Sequence, residues 1–515
     1  MNLAPADRRK HGAAYDLAIA LGILVASGQI RASSGSWALL GELSLSGAVL
    51  PVPGVLPMVA TLVRSGFRRV AVPAANLGEA RLVSGADATG VDGLDDAARL
   101  VAGPRGRRAA AATRRGPVEI SLAAVAAEDA RDGLRAPDAG EAMDAWGAAA
   151  AADPLADPGA PAESEAGGGA TRGGAGWLQT DAPGTTPREV EPRLGGEWVD
   201  LADVRGQPHA RWALEIALAG GHNLLLVGPP GAGKTLLART VPGLLPPLDD
   251  VEALELTVIE SVAGVLREPG LRRRRPFRAP HHTISYAALV GGGPRLQPGE
   301  VTLAHRGVLF LDELAEFDRN VLDALRQPLE DGSVDIARAS GHVSYPARVQ
   351  LIAAMNPCRC GHQGDPEHAC RCPLGDPDRY VRRVSGPLVD RLDLRVEMPR
   401  VLPEDLILGP PGEPSRVVAA RIRWARGRAL ERNRGRVNAL LPGAAVMRAC
   451  GLTGRSERVL VDLSGRDGIS ARGIHRILRV ARTIADLDGR LWVEEGDLLA
   501  AAGLRDPAAA PSLAA

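Results

Sequence analysis

The chain has 515 residues, and its 61 lysines and arginines balance its 61 aspartates and glutamates. This balance excludes a global field that would attract nucleic acid or a membrane surface, so any such contact must come from local patches. The length leaves room for about three domains. The apolar run from Leu17 to Ala26 is too short to span a bilayer, and Tyr15 and Asp16 interrupt its approach, so we reject a secretory signal.

The sequence pattern of the first 102 residues predicts an α/β module. Short apolar runs occupy Trp37 to Leu45 and Val70 to Val72, and a helical pattern covers Leu56 to Ser65. From residue 103 the composition changes to Ala, Gly, Pro, Asp and Glu, with few large apolar side chains. Because such a composition cannot build a core, we predict a low-complexity linker over residues 103–196.

A phosphate-binding loop follows the linker. Only two of the basic residues are lysine, and one of them, Lys234, lies in an octet that fits the pattern G-x-x-x-x-G-K-[ST]. Main-chain amides of such a loop wrap nucleotide phosphates, the lysine reaches the outer ones and the hydroxyl meets Mg²⁺. The run 222–227 predicts the preceding strand, and a helix begins at Thr235. The nucleotide-binding residues are predicted to be Gly228, Pro229, Pro230, Gly231, Ala232, Gly233, Lys234 and Thr235.

Two later strands end in polar side chains that suit the same site. Asp312 and Glu313 follow the apolar run 307–311, and Asn356 follows the strand predicted over 349–354. Phosphoryl transfer needs an in-line nucleophile and positioned charge more than covalent chemistry. We therefore expect Asp312 to hold Mg²⁺ together with Thr235, Glu313 to polarise the attacking water, and Asn356 to sense the γ-phosphate.

The segment between and after these strands adds loops and a hairpin. Paired histidines at 281–282 lie in a loop without nearby carboxylate or cysteine partners, so we favour a loop role over metal binding. A helix from Asp318 has core spacing, and strands over 333–337 and 343–345 predict a hairpin. Arg338 and His342 flank its turn, where they either grip the phosphates of a threaded DNA strand or belong to an ordinary solvent hairpin.

Four of the five cysteines form two C-x-C pairs, Cys358 with Cys360 and Cys370 with Cys372. Clustered thiols in a cytosolic protein indicate metal, and Zn²⁺ prefers four thiolates, so we expect a structural Zn²⁺ site over reduced, unliganded cysteine. His362 and His368 are alternative ligands. Cys450 is expected to be a small buried residue.

The motif Ser385 to Asp393, read as S-G-P-L-V-D-R-L-D after a strand ending in Met-Asn-Pro, resembles the magnesium chelatase-like AAA+ ATPases of the ComM/YifB type. The resemblance covers most of the chain outside the linker. It implies a P-loop α/β ATPase core with a parallel sheet sandwiched by helices over 197–400, a C-terminal helical lid over 401–505 and a tail over 506–515. Arg391 is then an arginine finger for the neighbouring subunit, and Arg472 a second sensor in the lid.

The N-terminal segment also resembles the Lon-type proteolytic domain, a ribosomal S5 domain 2-like α/β fold, through Gly41 to Gly47 and Val49 to Gly54. Lon-type enzymes use a serine and a lysine, but here Leu56 to Met58 occupy the lysine region and Ala13 to Asp16 the serine region. We therefore expect no peptidase activity. Family members also begin with a stretch upstream of the match to Asn2 to Asp7, so either the start was placed late or this domain is shortened and its sheet incomplete.

The resemblance implies a function. We expect a cytoplasmic ATP-driven homo-oligomeric ring, a hexamer, that acts as a helicase on branched or single-stranded DNA of recombination intermediates in natural transformation. A chelatase-like or chaperone-like protein remodeller is the alternative, and a nucleotide-switched scaffold is a third, against which Glu313 argues. Six arginines between 416 and 432 lie on one predicted helix, where phosphate contacts and a solvated surface are equally good interpretations.

Overall fold

The computed structural model describes residues 13–33, 36–102, 199–266, 270–293, 296–338, 341–365, 367–465 and 469–505. The predicted linker over 103–196 and the tail over 506–515 lie outside the described residues. None of the described helices is long and apolar enough to cross a membrane.

The N-terminal part is a small α/β unit built on a three-stranded parallel sheet of order β1-β4-β5. Its strands are β1 (Ala38–Leu39), β2 (Glu42–Leu43), β3 (Val49–Leu50), β4 (Arg69–Pro73) and β5 (Asp87–Val91), of which β2 and β3 form a separate antiparallel pair. Its helices are α1 (Asp16–Ala26), α2 (Val55–Arg64), α3 (Leu77–Ala80) and α4 (Leu94–Ala102). The predicted helix from Leu56 is α2, which follows Gly54 in the left-handed region at φ +79°.

The central part contains a five-stranded parallel sheet of order β14-β6-β13-β10-β7. These strands are β6 (Leu224–Val227), β7 (Phe277–Arg278), β10 (Val308–Leu311), β13 (Gln350–Met355) and β14 (Leu394–Glu397). Every residue of β6, β10 and β13 is buried, as expected of strands covered by helices on both faces. The predicted mixed α/β fold with a parallel sheet is confirmed.

Helices connect and cover these strands. In chain order they are α5 (Pro208–Gly220), α6 (Lys234–Arg239), α7 (Val241–Leu244), α8 (Asp250–Ala263), α9 (Tyr286–Val290), α10 (Glu300–Leu303), α11 (Arg319–Ala324), α12 (Arg326–Asp331), α13 (Asp376–Val381) and α14 (Gly386–Val389). The single helix predicted from Asp318 is instead two short helices, α11 and α12. Pro328 has no N–H to donate to the carbonyl of Ala324, so the helix ends there and restarts.

Two antiparallel hairpins interrupt the central part. One pairs β8 (Gly291–Gly292) with β9 (Gln297–Pro298), and the other pairs β11 (Ser333–Arg338) with β12 (Gly341–Pro346). The second is the hairpin predicted from the sequence. The two hairpins touch, because a Cβ added to Gly291 would lie 2.8 Å from Cδ1 of Ile336.

The C-terminal part is helical, with α15 (Pro403–Ile407), α16 (Ser415–Arg432), α17 (Gly443–Cys450), α18 (Gly454–Ser464), α19 (Ala471–Leu487) and α20 (Glu495–Arg505). The arginines of α16 mostly bind groups of this chain. Arg421 forms a fork to Glu215 at 2.6 and 2.8 Å, and Arg432 a fork to Asp486 at 2.6 and 2.7 Å. Such bidentate pairs hold α16 onto α5 and α19, and Arg416, Arg423 and Arg432 are its exposed arginines.

The N-terminal unit packs directly on α8 of the central part. Ser261 donates its hydroxyl hydrogen to Glu79 at 2.6 Å and accepts a hydrogen bond from the amide of Gly54 at its carbonyl, at 2.7 Å. Around them, Leu56 and Val258 belong to one buried apolar cluster. The two parts are joined by a shared core as well as by the chain between them.

Candidate nucleotide site

The order of the parallel sheet brings the predicted site residues together. β6, β13 and β10 are neighbours, and their carboxyl ends lead into the glycine-rich loop, Asn356 and Asp312 respectively. In open parallel sheets, ligands bind at this edge. Together with Met355 and Leu236, the residues from Pro230 to Thr235, Asp312, Glu313 and Asn356 line one open pocket.

Lys234 begins α6 and turns its ammonium back into the loop. Its Nζ donates to the carbonyls of Gly228 at 2.6 Å and Pro229 at 2.9 Å, and to Oδ1 of Asn356 at 3.1 Å. Burial lowers the pKa of Lys234 from its usual value, while the carboxylates of Asp312 and Glu313 oppose that change. The ammonium is therefore a buried cation satisfied by weak oxygen partners, which phosphate oxygens can replace.

The side chains of Thr235, on α6, and Asp312, after β10, form a hydrogen bond. The hydroxyl of Thr235 donates to Oδ2 of Asp312 at 2.6 Å, and the other carboxylate oxygen accepts the amide of Glu313 at 2.9 Å. A hydroxyl and a carboxylate at this spacing are the oxygen ligands that a phosphate-bound Mg²⁺ takes from such loops. The donor set thus fits the predicted cation.

The loop backbone has the shape that phosphates need. Gly231 and Gly233 adopt φ of +80° and +87°, and a Cβ added to either would meet no atom within 4 Å. Glycine adopts this left-handed backbone without strain, and the space beside it is open. The loop residues present therefore fit a nucleotide phosphate chain.

Glu313 has a partner that the sequence did not reveal. Nδ1 of His282 lies 3.2 Å from Oε2 of Glu313, whose backbone is in the left-handed region at φ +53°. His282 follows β7, and β7 is the neighbour of β10 in the sheet. The loop role predicted for the paired histidines is thus a specific one: His282 contacts the carboxylate expected to polarise water.

Neither of the two predicted arginines is among the residues that line this pocket. Arg391 precedes β14, and its carbonyl accepts from the side chain of Asn223, which precedes β6, so Arg391 lies at the opposite edge of the sheet. Its guanidinium pairs with Glu330 and with the carbonyl of Pro387. Arg472 is exposed in the first turn of α19.

Arg338 and His342 are both exposed at the end of the β11–β12 hairpin. Arg338 is the register partner of Gly341 in the β11–β12 pair. Its guanidinium lies beside Gly292 of the other hairpin, because a Cβ added to Gly292 would be 3.5 Å from Nη2 of Arg338. The two hairpin ends therefore form one surface that carries Arg338 and His342.

The four clustered cysteines come together, whereas Cys450 is separate. Sulfur atoms of Cys358, Cys360, Cys370 and Cys372 all lie within 4.8 Å of one another. Cys450 is buried as predicted, and burial raises the pKa of its thiol to about 12.

Comparison with known proteins gives matches over nearly the whole chain. Models described as "Magnesium chelatase, subunit ChlI", "Subunit ChlI of Mg-chelatase" and "Magnesium chelatase, subunit ChlI C-terminal" match residues 200–406, 1–76 and 412–505. The chain is 39% identical to an uncharacterized protein of Mycobacterium tuberculosis, over 98% of this chain and 86% of that protein. It is 37% identical to the uncharacterized protein YifB of Escherichia coli, with 95% and 81% covered. It is 36% identical to the competence protein ComM of Haemophilus influenzae, with 98% and 85% covered.

Proposed function

Since the chain belongs to the magnesium chelatase-like AAA+ family that includes ComM and YifB, we propose that it is an ATP-hydrolysing ring motor that acts on DNA. One observation carries the ATPase assignment. Lys234, the Thr235–Asp312 pair, Glu313 and Asn356 meet at one edge of the parallel sheet. A nucleotide-switched scaffold needs no carboxylate placed to polarise water, so this arrangement favours hydrolysis.

Each residue has a role in that proposal. Lys234 exchanges its carbonyl partners for phosphate oxygens, Thr235 and Asp312 hold Mg²⁺, and Asn356 contacts both the lysine and the terminal phosphate. Mg²⁺ supplies charge neutralisation of the phosphates when it is bound. Glu313 accepts a hydrogen bond from the attacking water and draws off its proton.

The ring assignment depends on Arg391. Its backbone lies at the opposite edge of the sheet from Lys234, and its guanidinium pairs with Glu330 rather than with a residue of the pocket. We propose that it serves the neighbouring subunit's nucleotide in a homohexamer, leaving Glu330 when the ring closes, and that Arg472 acts from the helical lid over 401–505.

A mixing experiment tests the ring assignment. Lys234→Ala and Arg391→Ala proteins should each be nearly inactive, and an equal mixture should recover activity, because about one quarter of the interfaces then combine an intact lysine with an intact arginine. If Arg391 acted within its own chain, no subunit in the mixture would hold both residues and no activity would return.

The DNA assignment is supported by the family and by the hairpin surface. ComM is named a competence protein, and we propose that this chain likewise acts in natural transformation, in the cytoplasm, as a helicase on branched or single-stranded recombination intermediates. Arg338 and His342 are proposed to contact the strand, because both side chains are exposed at the end of a two-stranded hairpin. We also propose that residues 1–102 form the Lon-like domain predicted from the sequence.

ATP turnover with and without forked or three-strand DNA tests this assignment, with Glu313→Gln as the hydrolysis control. DNA should stimulate turnover and strands should separate. The double variant Arg338→Ala, His342→Ala should lose the stimulation, whereas Arg319→Ala, which removes an exposed arginine elsewhere, should behave as wild type. Turnover indifferent to every DNA, without strand displacement, would leave an ATPase that remodels proteins.

A further inference from the structure

The four clustered cysteines have the spacing of a shared metal ion. Sγ of Cys358 lies 3.4 Å from Sγ of Cys360 and 3.7 Å from Sγ of Cys370, and the sulfurs of Cys360 and Cys370 are 3.5 Å apart. A disulfide would bring two sulfurs to about 2 Å. Four thiolates around Zn²⁺ at about 2.3 Å lie about 3.8 Å from one another, close to the observed separations.

A second group beside the cysteines is explained without a metal. Nδ1 of His362 and Nδ1 of His368 lie 3.1 and 3.6 Å from Oδ2 of Asp365. Nη1 of Arg400 lies 3.9 Å from the same oxygen and 3.1 Å from Nδ1 of His368. Because a guanidinium already supplies the positive charge, this group offers a poor second cation site, and its histidines face Asp365.

The cysteine loop touches the nucleotide site at two points. Cys358 follows Asn356 by two residues, so the first thiol is anchored next to the amide that contacts Lys234. Farther along, a Cβ added to Gly361 would lie 2.5 Å from Cδ and 2.8 Å from Cγ of Pro230, which means that the loop backbone packs on the phosphate-binding loop.

We propose that Cys358, Cys360, Cys370 and Cys372 bind one structural Zn²⁺ and that the closed loop braces the phosphate-binding loop through the Gly361–Pro230 contact. The ion ties the ends of the segment 358–372 together and so fixes where Gly361 presses on Pro230. The metal-binding proposal does not depend on the proposed ATPase function. The bracing role does rest on that function, because bracing is measured as nucleotide affinity.

Metal content of the full-length protein tests the site itself. Wild type should hold about one zinc per chain, which a metal analysis after exhaustive dialysis measures. Cys370→Ser and Cys372→Ser should each lose it, while Cys450→Ala, His362→Ala and His368→Ala should keep it. Zinc-free wild type, or equal zinc in the cysteine variants, would overturn the site.

Cobalt replacement provides a second measurement that needs no variant. Protein grown with Co²⁺ should show the intense visible absorption of a tetrahedral tetrathiolate site. Octahedral, weakly absorbing cobalt would exclude four-cysteine ligation even if the cysteine variants failed to fold.

A pair of glycine variants tests the bracing role. Gly361 and Gly364 both have left-handed backbones, at φ +85° and +77°, but a Cβ at Gly364 meets no atom within 4 Å. Gly361→Ala should keep its zinc and bind a fluorescent ATP analogue about tenfold more weakly, because the added methyl pushes Pro230. Gly364→Ala should match wild type within about twofold.

The outcomes are separable. Equal affinity in Gly361→Ala and Gly364→Ala would refute the brace and leave the zinc site standing. Zinc-loaded wild type without ATP turnover would refute the proposed function and leave the metal site intact.

Discussion

One buried histidine, His222, should make this protein less stable in acid. His222 precedes β6, and its Nε2 lies 2.8 Å from the hydroxyl of Thr483 on α19. Burial lowers the pKa of His222 to about 4; the nearby carboxylate of Asp393 raises it and the guanidinium of Arg479 lowers it further. The imidazole is therefore held neutral in the folded protein, whereas in the unfolded chain it titrates near 6.5.

The sign and size of the effect follow from this difference. Between these two pKa values the unfolded chain binds a proton that the folded protein does not, so acid favours unfolding. The contribution is nearly complete above about pH 7 and is lost as the pH falls from about 6.5 to about 4, for a total of about 3 kcal/mol. From pH 7 to pH 5 the loss is about 2 kcal/mol.

Urea unfolding at pH 7 and pH 5 measures this loss in wild type and in His222→Gln. Glutamine can keep the hydrogen bond to Thr483 but has no proton to gain, so the variant should lose about 2 kcal/mol less than wild type over this range. His281→Gln replaces an exposed histidine and should follow wild type. Equal losses in wild type and His222→Gln would refute the neutral buried imidazole.

Further predictions concern the nucleotide site. His282→Ala should lower kcat for ATP about tenfold with little change in KM, because Glu313 loses the partner that orients it; an unchanged or higher kcat would mean that the contact restrains Glu313 instead. Gly228→Ala should destabilise the protein by about 3 kcal/mol or more, since the new Cβ would lie 2.2 Å from the carbonyl oxygen of Met398, and an unshifted thermal transition would contradict this. Lys234→Ala should abolish measurable binding of a fluorescent ATP analogue, because the ammonium that meets the phosphates is removed, while circular dichroism stays native; retained binding would argue against the phosphate role.

The central sheet and most of the pocket were predictable from the sequence for a simple reason. Short apolar runs ending in polar residues give parallel strands whose carboxyl ends meet at one edge. This rule predicts that Lys234, Asp312 and Asn356 lie at the same edge of the sheet, and the runs that form β6 and β10 are buried along their whole length. The two short strand patterns over 333–337 and 343–345 also predicted the β11–β12 hairpin.

Contacts made through a very short strand or through long side chains were not predictable. His282 approaches Glu313 only because β7 lies beside β10, and β7 has just two residues, too few for a pattern. The arginines of α16 spread around the helix, which suggested solvent or phosphate partners. The long side chain of Arg421 reaches Glu215, which is 206 residues away in the sequence. A periodic pattern along one helix cannot predict such a pair.

The contact of Glu79 with Ser261 joins residues 182 apart in sequence. The N-terminal unit and the central part are therefore joined by non-covalent contacts as well as by peptide continuity between residues 102 and 199. Two separate polypeptides, one ending near residue 102 and one beginning near residue 199, together carry every described contact, and they should copurify when expressed in the same cell. Such a divided protein would let differently labelled N-terminal units be exchanged on the same central part.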